Sequence, residues 1–144
     1  ENTITLLEEE LLIACSLNHP LSARESINLN ELSGEQFISL PSYTKLRHAT
    51  DYYCQQAGFK PLILLECYDS NTILDLVKSG MGICFLPKYS WSHINNEGIN
   101  IIKISNPKCS RCINLTWDEE HYITKSANFF RDYIIDFFHK ISKN

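Results

Sequence analysis

Chemistry in this chain would have to come from its cysteines, histidines and clustered carboxylates. Cysteine occurs six times, at 15, 54, 67, 84, 109 and 112. The "CSRC" pair (109–112) offers two thiolates where a structural zinc site takes four ligands, and no second CxxC or HxxxH stands near it; His93 and His121 are single. A redox CxxC opens a helix in a βαβ unit, whereas this one leads into the strand-like "CINLTW". It reads as a turn, with metal binding the lesser alternative. Cys54 and His48 are six apart on a helical stretch, off the i, i+3 and i, i+4 rows that would bring them together. Glu8, Glu9 and Glu10 form a charge run expected at a solvated edge, and His19 before Pro20 reads as a turn residue. Nothing matches GxSxG, a P-loop or GxGxxG. The expectation is a protein that is not an enzyme, with no cofactor and no metal.

Binding is the stronger signal. Two predicted helices begin in hydroxyl-rich turns, "PSYT" (41–44) and "YDSNT" (68–72), each directly after a predicted strand. In a parallel α/β unit both helix starts lie at one edge of the sheet, where free N–H groups and hydroxyls converge on ligands. Thr44 and Ser70 serve equally as helix caps. Asp69 would disfavour an anion there unless it caps or points away, and Arg47 is placed to offset it.

The elements that must position these turns follow from periodicity. "ELLIACSLN" (10–18) reads as a strand closed by "HPL", and a second strand covers about 36–40. A helix follows, with Thr44 as N-cap, Leu46, Ala49, Tyr53 and Ala57 at helical spacing and Gly58 as its stop. "KPLILLECY" (60–68) is a strand, "DSNTILDLVKSG" a short helix capped by Asp69 or Ser70, and "GICFLP" (82–87) a strand. Residues 36–87 thus alternate strand and helix, as an α/β unit with a largely parallel sheet does. In "SGMGICFLP", Gly80 permits the left-handed turn that ends the helix. Gly82 lets backbone pass close to a neighbouring strand or to a ligand. Strands at 99–104 and 112–117 and an amphipathic helix at about 125–141 complete the chain.

The bulk numbers fit this plan. With 144 residues, 44% hydrophobic and 21% charged, the chain is an ordinary globular protein with room for one domain or two small lobes. Apolar runs of only a few residues exclude a membrane-spanning helix. A net charge of −4, and a C-terminal group of Lys125, Arg131, Lys140 and Lys143 diluted by Asp132 and Asp136, make these residues a poor nucleic-acid binder on their own. The opening "ENTITLLEEELL" has no basic n-region and no initiator methionine. It is expected to be neither a signal peptide nor the start of the whole protein, and the thiols are expected to be reduced.

The ordered series "HPL" (19–21), "L–GEQFISL" (32–40), "LR" (46–47), "AGFKP" (57–61), "LVKSGMGICFLP" (76–87) and the closing helix resembles the effector-binding domain of LysR-type transcriptional regulators, from about residue 11 onward. The resemblance implies an α/β fold like a type 2 periplasmic binding protein. Residues 20–98 would be the second lobe, and 1–19 with 99–144 the later part of the first, without the winged helix-turn-helix and the start of lobe one. It also implies a cytoplasmic homodimer or homotetramer that takes a small metabolite between the lobes and reaches promoter DNA through the absent domain. The pocket would be lined by Ser42, Tyr43, Thr44, Tyr68, Asp69, Ser70, Gly80, Met81 and Gly82. Peroxide-sensing members carry two cysteines in the region of "TKLRHATDYYC"; Cys54 matches the second and Lys45 stands in place of the first. A transport-type solute-binding module and a thiol or metal redox sensor are the alternatives.

Overall fold

The computed structural model describes residues 2–119 and 123–142; His121 and Lys143, named above, lie outside them. Contacts divide the chain into two compact units, one of Glu10–Cys109 and one of Glu1–Glu9 with Ser110–Asn144. Strand β1 (Asn2–Ser16) runs through both.

The larger unit also holds β2 (Ser26–Asn28), β3 (Gln36–Ser39), α1 (Lys45–Gln56), β4 (Leu62–Glu66), α2 (Ser70–Lys78), β5 (Cys84–Pro87) and β6 (Ile99–Asn106). β3 and β4 are parallel, with Gln36 opposite Leu62 and Ser39 opposite Glu66. A parallel bridge joins Phe37 to Ile83, the Ile83 amide donating to the Gln36 carbonyl at 2.9 Å and the Ile38 amide to the Ile83 carbonyl at 2.8 Å. So 36–87 is the parallel strand–helix unit that its pattern predicts. β5 then pairs antiparallel with β1, β1 antiparallel with β6, and β6 parallel with β2. The second half of β1 and all of β6 are thus bonded into the sheet of this unit.

Both faces of this sheet are covered, which is why β1 reads as a continuous apolar run after Glu10. Leu11, Ile13 and Cys15 point into one core with Leu46 of α1, while Leu12 and Ala14 point into another with Ile73, Leu74 and Val77 of α2. The two helices thus pack on opposite faces, each buried Leu or Ile contributing about 1.5–3 kcal/mol.

The smaller unit pairs the first half of β1 with β7 (Ser110–Trp117), Thr3 lying 3.0 Å from Thr116 and Thr5 donating to Asn114 at 3.0 Å. The strand begins at Asn2, eight residues before the expected start. Its partner is over a hundred residues away, so no local signal marks it. Alternation also divides the glutamate run. Glu8 is exposed and accepts from Ser110, whereas Glu9 is fully buried and accepts from the Arg111 guanidinium at 2.9 Å. The expected solvated edge holds for Glu8 and fails for Glu9, since neighbouring residues of a strand face opposite sides. Helix α3 (Lys125–Ser142) closes the unit.

Candidate functional site

β3 runs through Leu40 and Pro41 into α1, and β4 through Cys67 and Tyr68 into α2. Because the strands are parallel, both helix starts lie at the C-terminal edge of the sheet. The Tyr43 and Tyr68 rings meet there, 6.4 Å between centroids and tilted by 36°, and both side chains are exposed, at 70% and 73%. Ser42, Tyr43, Thr44, Tyr68, Asp69 and Ser70 therefore share one edge, as the strand–helix order predicts. Pro87, at the end of β5, pairs with Leu11, and the Leu11 amide donates to the Cys109 carbonyl at 2.9 Å. The larger unit thus begins and ends beside the C-terminal end of β5.

The two helix starts differ in charge. Thr44 caps α1, its hydroxyl accepting from the Arg47 amide at 3.3 Å and donating to the Pro41 carbonyl at 2.8 Å. Asp69 caps α2, its carboxylate accepting from the Thr72 hydroxyl at 2.8 Å and the Thr72 amide at 3.0 Å. Those bonds, the hydroxyl's first, hold the Asp69 carboxyl below its ordinary pKa. A fixed negative charge therefore sits on the start of α2, and a neutral cap on the start of α1. Ser70 is the first residue of α2, not its cap.

Arg47 does not offset Asp69. Its guanidinium is largely buried and donates to Asp51 at 2.9 and 3.0 Å, to Glu66 at 3.0 Å and to the Leu40 carbonyl at 3.0 Å. Sequence reasoning missed this cluster, although Arg47 and Asp51 at i, i+4 gave a signal for half of it.

The Gly80–Met81–Gly82 turn lies elsewhere. Gly80 (φ +83°) ends α2 in a Schellman motif, its amide donating to Val77 and the Met81 amide to Leu76. The chain has by then crossed back to the N-terminal edge of the sheet. A Cβ on Gly82 would stand 2.7 Å from the Gln36 carbonyl and 3.3 Å from the Ile38 side chain. The close approach that requires Gly82 is thus to strand β3, not to a ligand, and the turn does not join the other six residues. Met81 is exposed at that far edge.

A cavity of about 620 Å³ in the larger unit is a third location. It is an open groove between the end of α1 and the start of β4, lined by Arg47, Asp51, Gln55, Phe59, Lys60 and Ile63 among others. None of the nine predicted residues lines it.

Four of the six thiols are disposed for packing, while Cys67 is half-buried and Cys112 exposed. Cys15, Cys54, Cys84 and Cys109 are buried, and burial pushes Cys54 up to about 12 and Cys109 up to about 11, so neither is a thiolate nucleophile at neutral pH. Among the described residues, no three His, Cys, Asp or Glu side chains stand close enough to hold a metal ion. His19 acts in its turn: Nδ1 accepts from the Leu21 amide at 3.0 Å and Nε2 is bonded to Glu35 at 3.0 Å.

The family profile described as "LysR substrate binding domain" matches residues 2–138. The chain belongs to that family. It is 35% identical over 135 residues to the HTH-type transcriptional regulator YybE of Bacillus subtilis and 31% identical over 138 residues to the transcriptional dual regulator GltC of the same organism. The matches cover 94% and 96% of this chain and 46% of each relative, so the chain spans about half the length of the relatives it matches. The effector-binding domain of QuiR in complex with shikimate superposes with a TM-score of 0.85 at 26% identity, over 96% of this chain and 66% of that one. The Synechocystis PCC6803 CcmR regulatory domain, in complex with 2-PG, shares the fold at a TM-score of 0.84 and 20% identity, over 95% and 66%. The LysR substrate-binding domain is a type 2 periplasmic-binding-protein-like α/β fold, as the ordered motifs imply. No described helix is long and apolar enough to cross a membrane.

Proposed function

We propose that this LysR substrate-binding domain is the sensing part of a cytoplasmic transcription regulator. A small metabolite binds against the edge formed by Ser42–Thr44 and Tyr68–Ser70, and the bound state changes how the whole protein engages promoter DNA through a winged helix-turn-helix outside these residues. The carrying observation is the convergence of two helix starts and the Tyr43–Tyr68 pair at one sheet edge in a chain of this family. Residues 20–98 are the second lobe of this reading, and 1–19 with 99–144 the later part of the first.

The charges narrow the effector. With Asp69 ionised at α2 and Arg47 engaged by Asp51 and Glu66, the cation at these turns is Lys45, the exposed first residue of α1. A hydroxylated molecule with one carboxylate, its charge toward the first-turn N–H groups of α1 and its hydroxyls toward Asp69, fits that distribution. The mechanism is differential binding to two arrangements of the regulator, which requires no catalysis. The buried, thiol-form Cys54 and the lysine at 45 count against a peroxide switch.

A homo-oligomer is part of the same reading. β4 ends the sheet beyond β3, and Leu62, Leu64 and Leu65 on it are 53%, 45% and 42% exposed. An apolar sheet edge of this kind is a surface for a second copy.

The test is calorimetric titration of the protein carrying its whole effector-binding domain with a panel of small hydroxylated carboxylic acids, shikimate first. Saturable binding that Ser42→Ala or Tyr68→Ala weakens about tenfold without lowering Tm supports the site. Binding that both variants leave unchanged moves the effector elsewhere, and a panel of solutes bound with no effect on DNA affinity favours a transport-type binding module.

A further inference from the structure

The groove beside α1 is separate from the edge where the two helices start. Arg47, Asp51 and Gln55 stand at i, i+4 and i+8 of α1, so they share one face of the helix and run along it for about 12 Å. They line the 620 Å³ groove on one side, and Phe59, Lys60, Pro61 and Ile63 line it from the other. That volume lies within the roughly 300–1,000 Å³ of small-molecule sites. Phe59 and Ile63 are half-buried against the core and supply its apolar surface.

The polar groups of the groove are held in place with bonding capacity left over. The Arg47 side chain is only 10% exposed. Its Nε and Nη1 donate to Asp51, Glu66 and the Leu40 carbonyl, whereas Nη2 has no acceptor among the described residues. A guanidinium so far withdrawn from water, with one amino group unbonded, is a donor that a ligand can satisfy. A carboxylate has about four lone-pair sites, and the Asp51 carboxylate spends its bonds on Arg47 Nε alone. The Gln55 amide and the Lys60 ammonium, both on exposed residues, have no partner among the described residues.

These leftovers differ in what they take. The Arg47 guanidinium already faces two carboxylates, so its Nη2 suits a neutral carbonyl oxygen. The remaining sites on Asp51 suit an ammonium, the Gln55 amide suits a peptide group, and the unpaired Lys60 suits a carboxylate. We infer that this groove binds a short zwitterionic peptide, a dipeptide in size. Its N-terminal ammonium lies on Asp51, its first carbonyl on Arg47 Nη2 and its terminal carboxylate on Lys60, with an apolar side chain against Phe59 and Ile63. Arg47 and Lys60 balance Asp51 and Glu66, so a ligand of no net charge is favoured over an anion or a cation. The inference does not rest on where the effector binds, since the groove and the edge of the helix starts share no residue of the proposed effector site.

Calorimetric titration with alanyl-leucine, N-acetyl-alanyl-leucine and alanyl-leucinamide tests this on the protein carrying its whole effector-binding domain. Alanyl-leucine should bind saturably, and blocking either terminus should weaken it at least tenfold. Lys60→Met removes an exposed, unpartnered side chain and should leave Tm unchanged. It should lower alanyl-leucine to the affinity of its amide while the amide binds as before, a loss of discrimination that a structural role would not produce. Tyr68→Ala should leave all three affinities where they were. Absence of saturable binding at millimolar peptide overturns the inference, as does an N-acetyl peptide that binds equally well. Free leucine binding as tightly as the dipeptide overturns the peptide assignment, and a loss in Tyr68→Ala moves the peptide to the helix starts and overturns the groove. None of these results bears on the titration with hydroxylated acids, which reads the other site.

Discussion

At their C-termini α1 and α2 are built alike, while at their N-termini they are not. Gly58 (φ +93°) and Gly80 (φ +83°) both take the left-handed position after the helix. Each is followed by the same pair of bonds, Phe59 to Cys54 with Gly58 to Gln55, and Met81 to Leu76 with Gly80 to Val77. The starts carry a neutral cap on α1 and an ionised one on α2. Shared ends answer a shared geometric need, the release of the chain from a helix into the next strand. Divergent starts place different charges at one edge, which is what a binding site for an asymmetric small molecule requires.

The largest expected effect tests whether the turn after α2 belongs to packing. Gly82→Ala sets a Cβ 2.7 Å from a strand carbonyl that cannot swing aside, so the loss should be about 3 kcal/mol in a urea melt. If the variant instead keeps its stability and loses effector affinity, the turn is part of the site after all. Next is Arg47→Met, which removes the donor to the Leu40 carbonyl, Asp51 and Glu66. Both carboxylates are partly solvated, at 41% and 46% exposure, so about 2 kcal/mol is expected, below the cost of breaking a fully buried pair. A larger loss of effector affinity than of stability would mean that Arg47 contacts the ligand.

The starts are compared through Tyr68→Ala. The side chain is exposed, so stability should change by less than about 0.5 kcal/mol, while effector affinity falls about tenfold, near 1.4 kcal/mol. Unchanged affinity would leave the ring pair a surface feature. For the ends, Gly58→Ala and Gly80→Ala should each cost about 1 kcal/mol. Nothing stands within 4 Å of the Gly58 position, and only the Ser16 hydroxyl, at 3.8 Å, near that of Gly80. Unequal costs would break the likeness of the two ends.

Much of this was legible in the sequence because capping is local chemistry. Thr44, Gly58, Asp69 and Gly80 mark both helices to within a residue, and the alternation of strand and helix puts the two starts on one edge. What was not legible was non-local. Pairing with β7 makes Asn2–Glu9 a strand and buries Glu9, and the contact of Gly82 with β3 is visible only once the strands are placed. Grouping Gly80–Gly82 with the helix starts overlooked that a helix returns the chain to the opposite edge. The period-2 rule, applied to Glu8–Glu10, would have separated Glu9 from its neighbours.

The smallest effect isolates the charge that distinguishes the two starts. Bonds from the Thr72 hydroxyl and amide keep the Asp69 carboxyl below its ordinary pKa in the folded protein. A group with a depressed folded pKa contributes stability that is complete above its unfolded value, about 3.9, and is lost as pH falls through the folded one. Asp69→Asn keeps an acceptor at the cap but no charge. Wild type and variant should therefore differ by a constant margin from neutral pH down to about pH 4, and converge below it in parallel urea melts. Thr44→Ser, which changes a neutral cap for another, should show a margin that does not move with pH. An Asp69 margin that is equally flat would mean that the carboxylate acts only as a hydrogen-bond acceptor. The charge at α2 would then contribute nothing to folding, and its value would lie in what it does to the ligand beside α1.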